Sequence, residues 1–112
     1  MTIHEYALPN AESRPRRIAI TTDDAIWYTD YAGGHLGRFD PKTGNGSEWP
    51  SPGGVNSGPY GIAVVKDVLW YSESGVSPNT LVRFDPKTGL VDPRLAAGPP
   101  PKSKQAANAV RV

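Results

Sequence analysis

The chain has 112 residues, of which 38% are hydrophobic, with no cysteine and a formal net charge of +1. This length fits one domain, the lack of cysteine excludes a disulfide framework, and the balanced charge gives no case for nucleic acid. No apolar run approaches the ~20 residues of a membrane helix. Residues 1–5 carry neither a basic nor an apolar leader region, so a cytoplasmic chain is the default expectation, with export of a longer parent left open.

The elements read in chain order as short strands. Residues 3–8, closed by Pro9, come first. Residues 17–21 then alternate, with Ile18 and Ile20 apolar, the pattern of a half-buried strand. Residues 22–25 form a tight polar turn. Residues 26–31 are rich in aromatic and β-branched side chains and read as a second strand. Gly33 and Gly34 break it, and residues 35–39 alternate again. Asp40-Pro41-Lys42-Thr43-Gly44 is a turn with a mechanism: Asp bonds its own backbone, Pro presets φ, and Gly accepts a positive φ. Residues 46–49 form a short fourth strand and 50–54 a loop. The same order returns in residues 60–65, 68–73 and 80–84, in the turn Asp85 to Gly89, and in a fourth strand that starts at Leu90-Val91.

That return is an internal repeat. Arg38 to Gly44 recurs letter for letter as Arg83 to Gly89, at an offset of 45. Trp27-Tyr28 recurs as Trp70-Tyr71 at offset 43, and Pro15 to Ile20 lines up with Pro59 to Val64 at offset 44. A repeat of about 44 residues made of four short strands is a propeller blade with its innermost strand first. The fold class is therefore all-β, a β-propeller fragment of about two four-stranded antiparallel blades, spanning 15–54 and 59–92. Glu5-Tyr6 stands 43 residues before Glu48-Trp49, so residues 3–8 are expected as the outer strand of a preceding blade. A closed propeller takes roughly four to eight blades. Two leave sheet edges and a blade face uncovered, and self-association through them is expected.

Residues 93–112 break this composition. They hold a proline triplet, many alanines, and Arg94, Lys102, Lys104 and Arg111 without an acid. They read either as a disordered end or as an aberrant terminus that truncates a longer propeller inside its second blade.

Single residues divide as follows. Trp27 and Trp70, at equivalent positions, are expected to be buried as packing between blades rather than as a stacking platform. Arg38 and Arg83 recur with the repeat and read as structural partners of a turn or neighbour-strand Asp. Arg16 and Arg17 either face an anion at the inner rim or pair with Asp23, Asp24 or Asp30. His35, with no acid in its own loop, reads as a surface residue before a ligand, and His4 as solvent-exposed. Ser74 lacks the setting of a nucleophile.

The blade text Ile26-Trp27-Tyr28-Thr29-Asp30, Leu36-Gly37-Arg38-Phe39, Thr43-Gly44, Glu48-Trp49 and Pro52, with its second copy at Trp70 to Glu73 and Leu81 to Phe84, resembles the virginiamycin B lyase (streptogramin lyase) family over about residues 3–91. The resemblance implies a ring of four-stranded blades and a Mg²⁺-assisted elimination that opens a cyclic depsipeptide at its ester. The metal polarises the carbonyl and a His takes the α-proton. In the family these groups sit in a Glu-Pro-His-Gly-Ile-like stretch at the first strand of a blade. Here that stretch is Arg14-Pro15-Arg16-Arg17-Ile18 and Gly58-Pro59-Tyr60-Gly61-Ile62, with Arg16 and Tyr60 in place of the base. The second family carboxylate has matches in Asp30 and Glu73, the metal candidates. Arg16, Tyr60 and His35 are the substrate-binding candidates, and no catalytic residue is assigned. The expectation is an incomplete lyase-like propeller, inactive alone, that takes a small-molecule ligand and contacts neither nucleic acid nor membrane. A non-catalytic binding module and a gluconolactonase-like metal hydrolase are the alternatives.

Overall fold

The computed structural model describes residues 2–91 and 109–111. The first sheet is formed by β1 (Pro15–Ile20), β2 (Ile26–Asp30), β3 (His35–Phe39) and β4 (Gly46–Pro50), antiparallel and in sequential order. The second contains β5 (Pro59–Val65), β6 (Val68–Glu73), β7 (Thr80–Asp85) and β8 (Leu90–Val91), with β9 (Ala109–Arg111) also pairing β7. No helix occurs among the described residues, and so none is long and apolar enough to cross a membrane.

Local chemistry explains the turns. Asp40 Oδ1 accepts the Lys42 amide at 2.9 Å, Asp85 Oδ1 accepts the Lys87 amide at 3.0 Å, and Gly44 and Gly89 take φ of 77° and 69°. Lys66 and Asp67 both have positive φ, the two-residue turn that matches strand twist and closes β5 onto β6.

Alternation gives each sheet two faces. Ala19, Trp27, Leu36 and Trp49 face the second sheet, which answers with Ile62, Val64, Leu69, Tyr71, Val82 and Phe84. Trp27 stacks on Trp49 at 5.5 Å, and Phe84 lies 5.7 Å from Trp27 and 5.1 Å from Trp49. Trp27 is 1% exposed, as expected. Trp70 is only half-buried, because its face points away from the first sheet and no third sheet covers it among the described residues.

Residues 3–8 differ from expectation as well. They form no ladder, because no described strand lies beside them to supply the hydrogen bonds. The segment still docks on the first blade, with Tyr6 5.3 Å from Phe39. At the other end, β8 and β9 share the outer edge of β7: Phe84 pairs Val91, and Val82 pairs Ala109. A strand at 109–111 departs from the expected disorder of that tail. Residues 92–108 and 112 lie outside the described residues.

Candidate functional site

The first strand of each blade carries an irregularity at the same place. Pro15 pairs Asp30 and Ile18 pairs Tyr28. Pro59 pairs Glu73 and Ile62 pairs Tyr71. An extra residue of this kind bends a strand and re-aims its side chains. A strand-two hydroxyl holds it in both blades. The Arg17 amide donates to Thr29 Oγ1 at 3.3 Å, and the Gly61 amide to Ser72 Oγ at 3.0 Å. Thr29, fully buried, also donates to the Tyr60 carbonyl at 2.6 Å and so ties the two bulges together.

The bulges bring Arg16 and Tyr60 into one cluster. The Arg16 guanidinium lies 4.8 Å from the Tyr31 ring centre and 5.9 Å from that of Tyr60. Arg17 lies 4.8 Å from the Tyr60 ring and donates to its hydroxyl at 3.3 Å. These arginines stack on aromatic faces rather than pairing with Asp23, Asp24 or Asp30; Asp23 instead pairs Arg38 at 3.3 Å. Beside Tyr31, a hollow of about 260 Å³ is lined by Tyr31, Ala32, Val55, Asn56, Gly58 and Gly75.

His35 is not part of this cluster. Its Nδ1 lies 3.1 Å from Asp30 Oδ2 and 4.0 Å from Glu48 Oε1, so the acids that its own loop lacks come from neighbouring strands. Asp30, His35 and Glu48 offer ligand atoms within 4.8 Å of one another. Glu48, part of the repeat pattern but not among the site candidates, is fixed by Ser13 Oγ at 3.1 Å and by the Tyr28 hydroxyl at 3.2 Å. Gly37 makes the Tyr28 contact feasible, because a Cβ there would collide with the Tyr28 ring at 1.9 Å. Burial first, and then the Glu48 carboxylate, push the Tyr28 phenol above its ordinary value.

The metal candidates Asp30 and Glu73 belong to different blades and different groupings. Asp30 is fully buried, and its Oδ1 accepts the Arg14 amide at 2.9 Å and the Gly33 amide at 3.1 Å. Burial alone would raise its carboxyl, but these amides and His35 outweigh that and hold it below the usual carboxylate range. Glu73, 1% exposed, accepts Thr80 Oγ1 at 2.7 Å on one oxygen, and Ser51 Oγ at 2.5 Å and the Gly53 amide at 2.6 Å on the other.

A Mg²⁺ ion held as the family resemblance implies does not fit these residues. Arg14 and Gly58 stand where its carboxylate is expected, and protein donors already occupy both Asp30 and Glu73. The Asp30–His35–Glu48 grouping contains an imidazole, which suits zinc-like ions better than the all-oxygen preference of Mg²⁺.

No family model and no curated protein matches the chain. Solved structures do. Virginiamycin B lyase from Staphylococcus aureus is 33% identical with a TM-score of 0.67, over 77% of this chain and 28% of that one. A catalytically inactive histidine-to-alanine form of that lyase, with quinupristin, is 32% identical at the same TM-score and coverage. A streptogramin B lyase structure is 34% identical, TM-score 0.67, over 80% of this chain and 28% of that one. The chain thus spans under a third of the length of the lyases it matches. With one four-stranded and one five-stranded sheet and their matching bulges, the chain is a β-propeller segment similar in sequence and fold to the virginiamycin B (streptogramin B) lyases.

Proposed function

We propose that this chain is a catalytically incomplete streptogramin-lyase propeller segment, supplying two blades of wall and rim but no proton-abstracting group. The observation that carries this reading is the pair of bulges: the two positions matching the family's base hold Arg16 and Tyr60. Neither a guanidinium nor a phenol offers the free imidazole nitrogen that a general base of this kind uses to take an α-proton. The S. aureus relative is catalytically inactive when one histidine becomes alanine. The two histidines of this chain, His4 and His35, lie outside the bulges.

The test is to incubate the chain with quinupristin and Mg²⁺ beside a chelated control and follow the cyclic species by chromatography. Unchanged substrate in both samples is the expected result. Metal-dependent ring opening would overturn the reading and direct attention to Asp30, His35 and Glu48.

A second reading, a small-molecule binding module, draws on the Arg16–Arg17–Tyr31–Tyr60 rim and its adjoining hollow. Guanidinium groups lying on aromatic faces keep edge N–H groups for an anion, and Tyr31 remains 39% exposed for stacking. Saturable binding of quinupristin without ring opening, lost in Arg16→Ala, favours this role. Binding unaffected by that change excludes it.

A further inference from the structure

Each blade has a forward face, turned toward the blade that follows, and a rear face, turned toward the one before. In the joint between the two blades, Ala19, Trp27 and Leu36 of the first blade's forward face, with Arg38 lying over Trp27, meet the rear face that carries Ile62, Val64, Tyr71 and Phe84. The repeat reproduces both halves of this joint at the opposite ends of the molecule. Ala63, Trp70, Leu81 and Arg83 are the counterparts on the second blade's forward face. Ile18, Ile20, Tyr28 and Phe39 are the counterparts on the first blade's rear face. Both outer faces are open: Ile18 is 63%, Ile20 58% and Val65 55% exposed. An apolar hollow of about 240 Å³, lined in part by Ile18, Tyr28 and Phe39, marks the rear face.

The N-terminal segment completes the pattern. Tyr6 is the repeat counterpart of Trp49. It sits 5.3 Å from Phe39, as Trp49 sits 5.1 Å from Phe84. Residues 3–8 are thus held against the rear face where the outer strand of a preceding blade belongs, and lack only a third strand to pair with. By the Leu36–Trp49 pairing, the position facing Tyr6 is Leu81 of β7.

We propose that the chain assembles head to tail with further copies of itself. The forward face of one copy's second blade covers the rear face of the next copy's first blade, and residues 3–8 of the latter pair along Thr80 to Val82 of the former. Within one chain β9 holds those same β7 positions, so the incoming segment exchanges for it. The joint is heterologous, the kind that closes into rings or runs on as open chains.

Sedimentation velocity of the full chain over a concentration series tests this, with Val65→Glu on the forward face and Ile18→Glu on the rear face. Both side chains are more than half exposed, so circular dichroism should stay native in both variants. The expected result is a mass that rises with concentration in the wild type and an association at least about tenfold weaker in each variant, since a charge is placed in a covered apolar joint. An equimolar mixture of the two variants recovers a one-to-one pair, because one intact forward face meets one intact rear face. A wild type that stays monomeric overturns the proposal. So does association that neither variant weakens, which places the contact on sheet edges, or a mixture that does not recover, which makes the contact symmetric.

Discussion

Asp30 and Glu73 occupy the same place, the last position of their blade's second strand, and each fixes the linker that enters its own blade. Asp30 accepts the Arg14 amide, and Glu73 accepts the Gly53 amide and the Ser51 hydroxyl. The carboxylate that recurs with the repeat is thus part of the joinery between blades. Replacing either by Ala strands buried donors, and leaving a buried donor unsatisfied costs about 1–3 kcal/mol. Asp30→Ala and Glu73→Ala are each expected to lower stability by about 2–4 kcal/mol in urea melts. Loss below 0.5 kcal/mol in both would show that the linkers are held by something else.

The pH response follows from the same group. The folded Asp30 carboxyl lies below its unfolded value of ~3.9, so the unfolded chain binds the proton more readily. The stabilisation is present above that value and is lost as pH falls through the folded value. At the alkaline end, burial raises the Tyr28 and Tyr71 phenols, so ionising them above the ordinary ~10 favours unfolding. Stability should therefore fall below about pH 4 and above about pH 10. A spectrophotometric titration should find that two of the 5 tyrosines ionise only as the fold is lost. All five titrating near the ordinary value with the fold intact would contradict this.

Trp27 and Trp70 are repeat counterparts with different surroundings. Trp27 is enclosed by Trp49 and Phe84, and Trp27→Ala should cost about 3–5 kcal/mol, as removal of a buried aromatic does. Trp70 is half-buried on an uncovered face. Trp70→Ala should cost less than half as much in dilute melts and act mainly on association. Equal losses would mean that the forward face of the second blade is covered within one chain.

Because Asp30 and Glu73 are taken up by protein donors, millimolar Mg²⁺ should leave the melting temperature unchanged relative to a chelated sample. Binding to the native state alone would raise it by mass action. A reproducible rise that disappears in Asp30→Asn would assign a metal to the first blade.

Much of this was legible because the chain states its architecture twice. The turns at Asp40 and Asp85 are local chemistry, and alternation around Trp27 and Trp70 assigns the strands. The grouping of His35 with Asp30 and Glu48 was missed because its members come from three strands. The signal was nevertheless present: in an antiparallel sheet Tyr28, Asp30, His35 and Glu48 fall on one face once the hairpin registers are set. The outer strand expected at residues 3–8 and the full burial expected at Trp70 are absent for one physical reason. Each needs a neighbouring blade, and periodicity says which face is apolar without saying whether anything covers it.

The central claim is that the two repeats are blades packed face to face around Trp27. The most direct measurement is the set of nuclear Overhauser contacts among aromatic side chains in an isotopically labelled sample. The account predicts cross-peaks from the Trp27 and Trp49 rings to the Phe84 ring, across ring centres 5.7 and 5.1 Å apart, and a Phe84 ring shifted by the two indoles. A spectrum in which Trp27 and Trp49 contact each other but neither reaches Phe84 would show two separate sheets and contradict the claim.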